Sequence, residues 1–140
     1  MAPKRILVVD DDPIHLHCAK EILEEAGYEV VLHAGGFGAT EAYLKGRPDL
    51  ILLDVNMPAL SGTALAPLLL ERVKSSVPIL LYSSNDEESL RNSARKLNLA
   101  GFVGKGDPSE LRRKVARVLG ERIATGSEPI PGAPPPTDRQ

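Results

Sequence analysis

Two rhythms of apolar and polar residues take turns along this chain. Short unbroken apolar runs, as in Arg5 to Val9, Asp49 to Asp54 and Pro78 to Tyr82, are bounded by turn residues and have no polar phase. They read as strands buried on both faces of a parallel sheet. Tyr28 to His33 alternates and is rich in β-branched residues, giving a second strand, and Gly101 to Gly104 a short fifth. Between the runs, apolar residues recur at helical spacing. The sets are Ile14, Cys18, Ile22 with Ala19, Leu23, Ala26, a short helix over Thr40 to Lys45, and Leu65, Leu68, Leu69, Val73. Leu90, Ala94, Leu97 and Leu111, Val115, Val118, Leu119 complete them.

Turn and cap residues punctuate the pattern. Asp12 precedes Pro13 as a helix N-cap, and Gly27 stands where a C-terminal glycine is expected. Gly46 closes the second helix; the third begins near Ser61-Gly62, where Pro67 implies a kink or a late start. Asn85 or Asp86 caps the fourth helix, and Asp107, Pro108 and Glu110 open the fifth. Five strand-helix repeats predict a doubly wound (βα)5 α/β fold. Its five-stranded parallel sheet has the order 2-1-3-4-5, with helices on both faces and right-handed crossovers. Residues 1–120 form this domain, and 121–140, rich in Pro, Gly and polar residues, read as a flexible tail or linker.

Composition narrows the function. Seventeen basic and 19 acidic residues give a net charge of -2, so bulk charge asks for neither nucleic acid nor an anionic membrane. The one cysteine, Cys18, cannot close an internal disulfide, and its spacing from Ile22 suits a helix face packed on the core. No apolar run approaches the length of a membrane span, and a cytoplasmic protein is expected.

The chemistry collects at the strand ends. The first strand runs into Asp10, Asp11 and Asp12, the third into Asp54, the fourth into Ser83 and Ser84, and the fifth into Lys105. In the order 2-1-3-4-5 the crevice where ligands bind lies between strands one and three, which brings Asp10, Asp11 and Asp54 together. Three carboxylates in one site want a cation, and a hard divalent ion with oxygen ligands, Mg²⁺, fits. Lys105 and the Ser83 hydroxyl suit the oxygens of a phosphoryl group.

Ile6-Leu-Val-Val-Asp-Asp-Asp-Pro13, Leu52-Leu-Asp-Val-Asn-Met-Pro58, the Ser83-Ser84 pair and Phe102-Val-Gly-Lys105 together resemble the receiver domain of two-component response regulators. The resemblance spans Lys4 to Leu119. It implies a phosphoacceptor, not an enzyme in the ordinary sense, that takes a phosphoryl group onto Asp54 from a sensor histidine kinase or phosphotransfer protein. It also implies Asp11, Asp54 and the Asn56 backbone carbonyl as Mg²⁺ ligands, with Asp10 acting largely through water. Ser83 would bind the phosphoryl group, Lys105 would pair with it, and Phe102 would turn inward, switching a protein-binding face made of the fourth helix, fifth strand and fifth helix. A monomer or a weak phosphorylation-dependent dimer is expected, with no direct nucleic-acid or membrane contact. With no output domain after Leu119, the chain is expected to act by binding a target. One departure is Lys105-Gly106, where the family usually has Lys-Pro with a cis bond; Ser83 in place of the more frequent threonine keeps the hydroxyl.

Two alternatives compete. A haloacid dehalogenase-like phosphatase would carry the phosphoryl group on Asp10 and leave Asp54 and its Asn-Met-Pro unexplained. A receiver-like docking module that is not phosphorylated has only Gly106 in its favour. A flavin site lacks its phosphate loop, and a P-loop is absent. His15, His17 and His33 read as unconnected, Arg112, Arg113, Lys114 and Arg117 as a solvated face, and Phe37 and Tyr43 as packing residues. Asn56 and Asn85 stand where relatives tune phosphoryl lifetime.

Overall fold

The computed structural model describes residues 2–72 and 76–120. Five strands and five helices alternate. They are β1 Arg5–Asp10, α1 Pro13–Glu25, β2 Glu29–Ala34, α2 Ala39–Gly46, β3 Leu50–Leu53, α3 Gly62–Arg72, β4 Ile79–Ser83, α4 Glu87–Lys96, β5 Gly101–Gly104 and α5 Pro108–Val118. All strand pairs are parallel, in the order β2-β1-β3-β4-β5. This is the doubly wound α/β fold expected, and among the described residues no helix is long and apolar enough to cross a membrane.

Side chains alternate across a strand, so each run feeds two cores. Leu7, Val9, Ile51, Leu53, Ile79 and Leu81 pack with α2, α3 and α4 residues such as Tyr43, Leu65, Leu69 and Ala94. Ile6, Val8, Leu50, Leu52, Leu80, Tyr82 and Val103 pack with Leu16, Ala19 and Leu23 of α1 and Leu111 and Val115 of α5. The central strands β1, β3 and β4 are buried almost throughout, whereas edge strand β2 alternates between partly buried and exposed positions.

Most caps fall where the residues imply. Asp12 accepts from the Ile14 amide, Asp86 from that of Ser89, and Asp107 from those of Ser109 and Glu110. Other expectations fail. Of the two stripes on α1, Ala19 and Leu23 are buried, joined by Leu16, and Ile22 packs against them, while Cys18 is exposed and Ile14 is 70% exposed. Both stripes have helical spacing, and periodicity alone does not say which faces the sheet. Leu68 is about half exposed, Val73 and the 121–140 tail lie outside the described residues, and Phe37 is exposed although Tyr43 is core. Gly46 is the last residue of α2, and Arg47 beyond it takes the left-handed conformation. α3 starts at Gly62 and runs through Pro67, which lies on its exposed side, so there is no late start.

Gly62 is the tightest point of the fold. Its amide donates to the Val55 carbonyl at 3.0 Å, and a Cβ there would lie 2.0 Å from the Asp54 carbonyl oxygen. Backbone on both sides leaves nothing flexible to yield. Gly62→Ala is therefore expected to lower stability by at least about 1–3 kcal/mol, the range for overpacked sites, as a drop in the urea midpoint.

Candidate functional site

The sheet ladder sets the backbone of the site. The Asp54 amide donates to the Val9 carbonyl at 2.9 Å, and the Lys105 amide to the Ser83 carbonyl at 2.9 Å, so each pairing continues one residue past the strand. Strand alternation then sets the side chains. Asp10 follows Val8, Asp54 follows Leu52 and Lys105 follows Val103, all in the phase that faces α1 and α5. Ser83 follows Leu81, in the opposite phase.

The consequence is a charge cluster at the carboxyl ends of β1, β3 and β5. Asp10 is fully buried and Asp54 nearly so. The Lys105 ammonium donates to Asp10 Oδ2 at 2.6 Å, to Asp54 Oδ1 at 3.3 Å and to His15 Nδ1 at 2.9 Å. An ammonium has three protons, and these three acceptors account for all of them. The second Asp10 oxygen accepts from the Asp12 amide at 3.0 Å. Exposed Asp11 completes the acidic group: carboxylate oxygens of Asp10, Asp11 and Asp54 lie within 4.8 Å of one another. A cavity of about 470 Å³ opens above them, lined by Asp11, Asp54, Asn56, Ser84 and Lys105 among others.

This donor set fits Mg²⁺. Three carboxylates and one ammonium leave a charge of -2, and oxygens on an octahedral ion with bonds near 2.1 Å lie roughly 3–4 Å apart, within reach of the observed spacing. Burial is the largest influence on the Asp54 carboxyl and raises its pKa. Lys105 lowers it, Asp10 raises it, and the Asn56 backbone N–H lowers it, with a net upward shift from 3.8.

Buried Ser83 stands beside the cluster. Its hydroxyl accepts from the Asn85 amide at 3.1 Å and from Asn56 Nδ2 at 3.3 Å, and Asn56 also donates to Asn85 Oδ1 at 2.8 Å. Phe102 is half-buried on β5, with the Lys114 ammonium 4.2 Å and the Arg91 guanidinium 5.4 Å from its ring centroid. Lys114, expected to be solvated, also donates to the Phe102 carbonyl at 2.8 Å. The described residues contain no cis peptide bond, so Lys105-Gly106 is trans, and Lys105 reaches both carboxylates regardless.

Asp10, Asp11, Asp54 and Lys105 thus come together, with Ser83, Asn56 and Asn85 adjoining and Phe102 apart on the outer face. His15 was missed by sequence reasoning. His15 and His17 are two apart on α1 and share no face, and His15 lies one turn beyond Asp11, on the side of α1 that faces Lys105. His17 instead pairs with Glu21, and His33 with the Phe37 carbonyl.

Residues 6–116 match the family model for the response regulator receiver domain. The chain belongs to that family. This receiver domain is 40% identical over 106 residues to the protein-glutamate methylesterase/protein-glutamine glutaminase of Archaeoglobus fulgidus, covering 74% of the chain and 30% of that protein. The chain spans less than half the length of several curated relatives it matches, including two transcriptional regulators at 48% and 49%. Among solved structures, chemotaxis protein CheY4 of Vibrio cholerae superposes with a TM-score of 0.75 at 28% identity, over 84% of this chain and 99% of that one. Response regulator TrrA of Thermotoga maritima, solved in complex with Mg²⁺-BeF, gives 0.73 at 33% identity, over 82% and 98%.

Two outcomes follow from the cluster. Lys105→Ala leaves the Asp10 carboxylate buried without a counter-charge and is expected to cost about 3–5 kcal/mol. Millimolar Mg²⁺ should restore part of that loss, as read in urea midpoints with the ion or a chelator. The second concerns pH. Because the folded pKa of Asp54 is raised, its burial cost is fully present above that pKa and is relieved as pH falls through it towards 3.8. In chelator, Asp54→Asn should be more stable than the parent at pH 7, with the advantage shrinking as pH drops.

Proposed function

We propose that this receiver domain is a phosphoacceptor: Asp54 takes a phosphoryl group from a sensor histidine kinase or phosphotransfer protein. The observation that carries the reading is the pairing of Lys105 with Asp54 at 3.3 Å inside a group of three carboxylates. Asp11, Asp54 and the Asn56 backbone carbonyl would hold Mg²⁺, with Asp10 behind them. When bound, the ion would neutralise charge on the transferring oxygens.

The chain's own residues do the rest. An Asp54 oxygen attacks phosphorus in line as the donor's bond to phosphorus breaks, and Lys105 moves from the carboxylates towards the new phosphoryl oxygens. The product carries a charge of about -2, which draws the Ser83 hydroxyl from its Asn56 and Asn85 partners. Ser83 is flanked on β5 by Gly104, two residues from Phe102. Movement of Ser83 opens space for the Phe102 ring to turn inward, away from Arg91 and Lys114. The α4, β5 and α5 face then presents a different surface to a downstream protein, a population shift biased by one local charge. The domain assists its own phosphorylation and dephosphorylation and has no other catalytic role in this reading.

Asp10 suits the carrier role of the phosphatase alternative poorly, because one of its oxygens pairs with Lys105 at 2.6 Å and the other with a backbone amide. The test is intact mass after incubation with acetyl phosphate and Mg²⁺. One added phosphoryl group is expected, abolished in Asp54→Asn and by chelation and only reduced in Asp10→Asn. Loss in Asp10→Asn with retention in Asp54→Asn would transfer the role to Asp10, and no adduct in any sample would leave a docking module.

A further inference from the structure

A second cavity, of about 380 Å³, lies between α1 and the loop from β5 into α5 and plays no part in the reading above. Its walls include Ile22, Pro108 and the Tyr82 ring, with the Cys18 thiol at the α1 side and Lys105 at the inner end. Cys18 is exposed and is the chain's single cysteine. Tyr82 is only 6% exposed, yet its hydroxyl has no hydrogen-bond partner among the described residues. That hydroxyl borders the cavity and is available to an occupant that accepts its proton. Burial, with Cys18 and Asp10 as lesser causes, pushes the phenol up to about 12, so it remains a donor at ordinary pH. The Lys105 ammonium lies 5.4 Å from the Tyr82 ring centroid and borders both cavities.

We propose that Cys18 is a modification site for a small disulfide whose body is apolar and carries one hydrogen-bond acceptor. The Cys18 thiolate attacks one sulfur of the disulfide; the S–S bond breaks, a new bond to Sγ forms, and the other half leaves as a thiolate that takes up the proton Cys18 lost. The retained group lies against Ile22 and Pro108 with its acceptor on the Tyr82 hydroxyl. It then bears on Lys105 from the side away from the carboxylates and slows phosphoryl uptake; this coupling rests on the phosphoacceptor role of Asp54. A thiol reductant reverses it.

The probes are 2,2'-dithiodipyridine, which has an aromatic body and a ring-nitrogen acceptor, and diphenyl disulfide, which has the aromatic body without the ring nitrogen. Each rate at pH 7 is divided by that of the same chain unfolded in urea. The normalised rate for the dipyridyl probe should exceed the other by about tenfold, the worth of one hydrogen bond, and Tyr82→Phe, checked as folded, should erase most of that excess. The adduct should take up phosphoryl groups from acetyl phosphate severalfold more slowly, recovering with dithiothreitol, while Cys18→Ser keeps the parent rate with or without probe. Equal normalised rates would show an ordinary surface thiol and overturn the site, and an adduct with unchanged uptake would overturn the coupling. If the unmodified chain takes up no phosphoryl group, the phosphoacceptor reading fails while the normalised rates and Tyr82→Phe still decide the site.

Discussion

Everything at the carboxyl end of this sheet depends on one ammonium among carboxylates. Asp10 is completely buried, and a buried carboxylate without a partner is among the most expensive groups a fold can hold. Lys105 answers it at 2.6 Å and reaches Asp54 and His15 with its other protons. Yet one positive charge cannot balance three negative ones. The pocket is therefore stable enough to form and still short of positive charge, a condition that favours a divalent cation.

The sheet makes that arrangement almost inevitable once the strands are paired. Parallel strands in the order 2-1-3-4-5 put the ends of β1 and β3 side by side, and the two-residue period sends Asp10, Asp54 and Lys105 to one face. Ser83, in the other phase, reaches the site from the far side through the Asn56 and Asn85 amides. The same alternation stacks Tyr82 below Lys105 and so ties the second cavity to the first. Gly62 shows how little freedom the backbone has there.

The strand cores and most caps were legible because an unbroken apolar run before a carboxylate, or Asp before Pro at a helix start, has few other physical readings. Asp10, Asp11, Asp54 and Lys105 were legible for the same reason, each standing where a buried run stops. What stayed hidden depends on contacts between distant segments. The burial of Ala19 and Leu23, joined by Leu16, in preference to Ile14 and Cys18 is decided by the sheet beneath α1, because both stripes have helical spacing. His15 gains its role only from a lysine 90 residues away. Lys114 looked like one more solvated cation, but the Phe102 ring and carbonyl hold it in place.

That last contact bears on how the outer face presents itself to other molecules. Arg91 from α4 and Lys114 from α5 flank one aromatic ring, so the ring acts as a shared counterweight that partly masks two positive charges. Each cation also has a carboxylate one helical turn away, Glu87 and Glu110. Were the ring withdrawn, two cations would be left with only those local acids to restrain them, and the face would become more electropositive without any change in the chain's net charge. A change of side-chain packing would then be read outside the protein as a change of electrostatic potential.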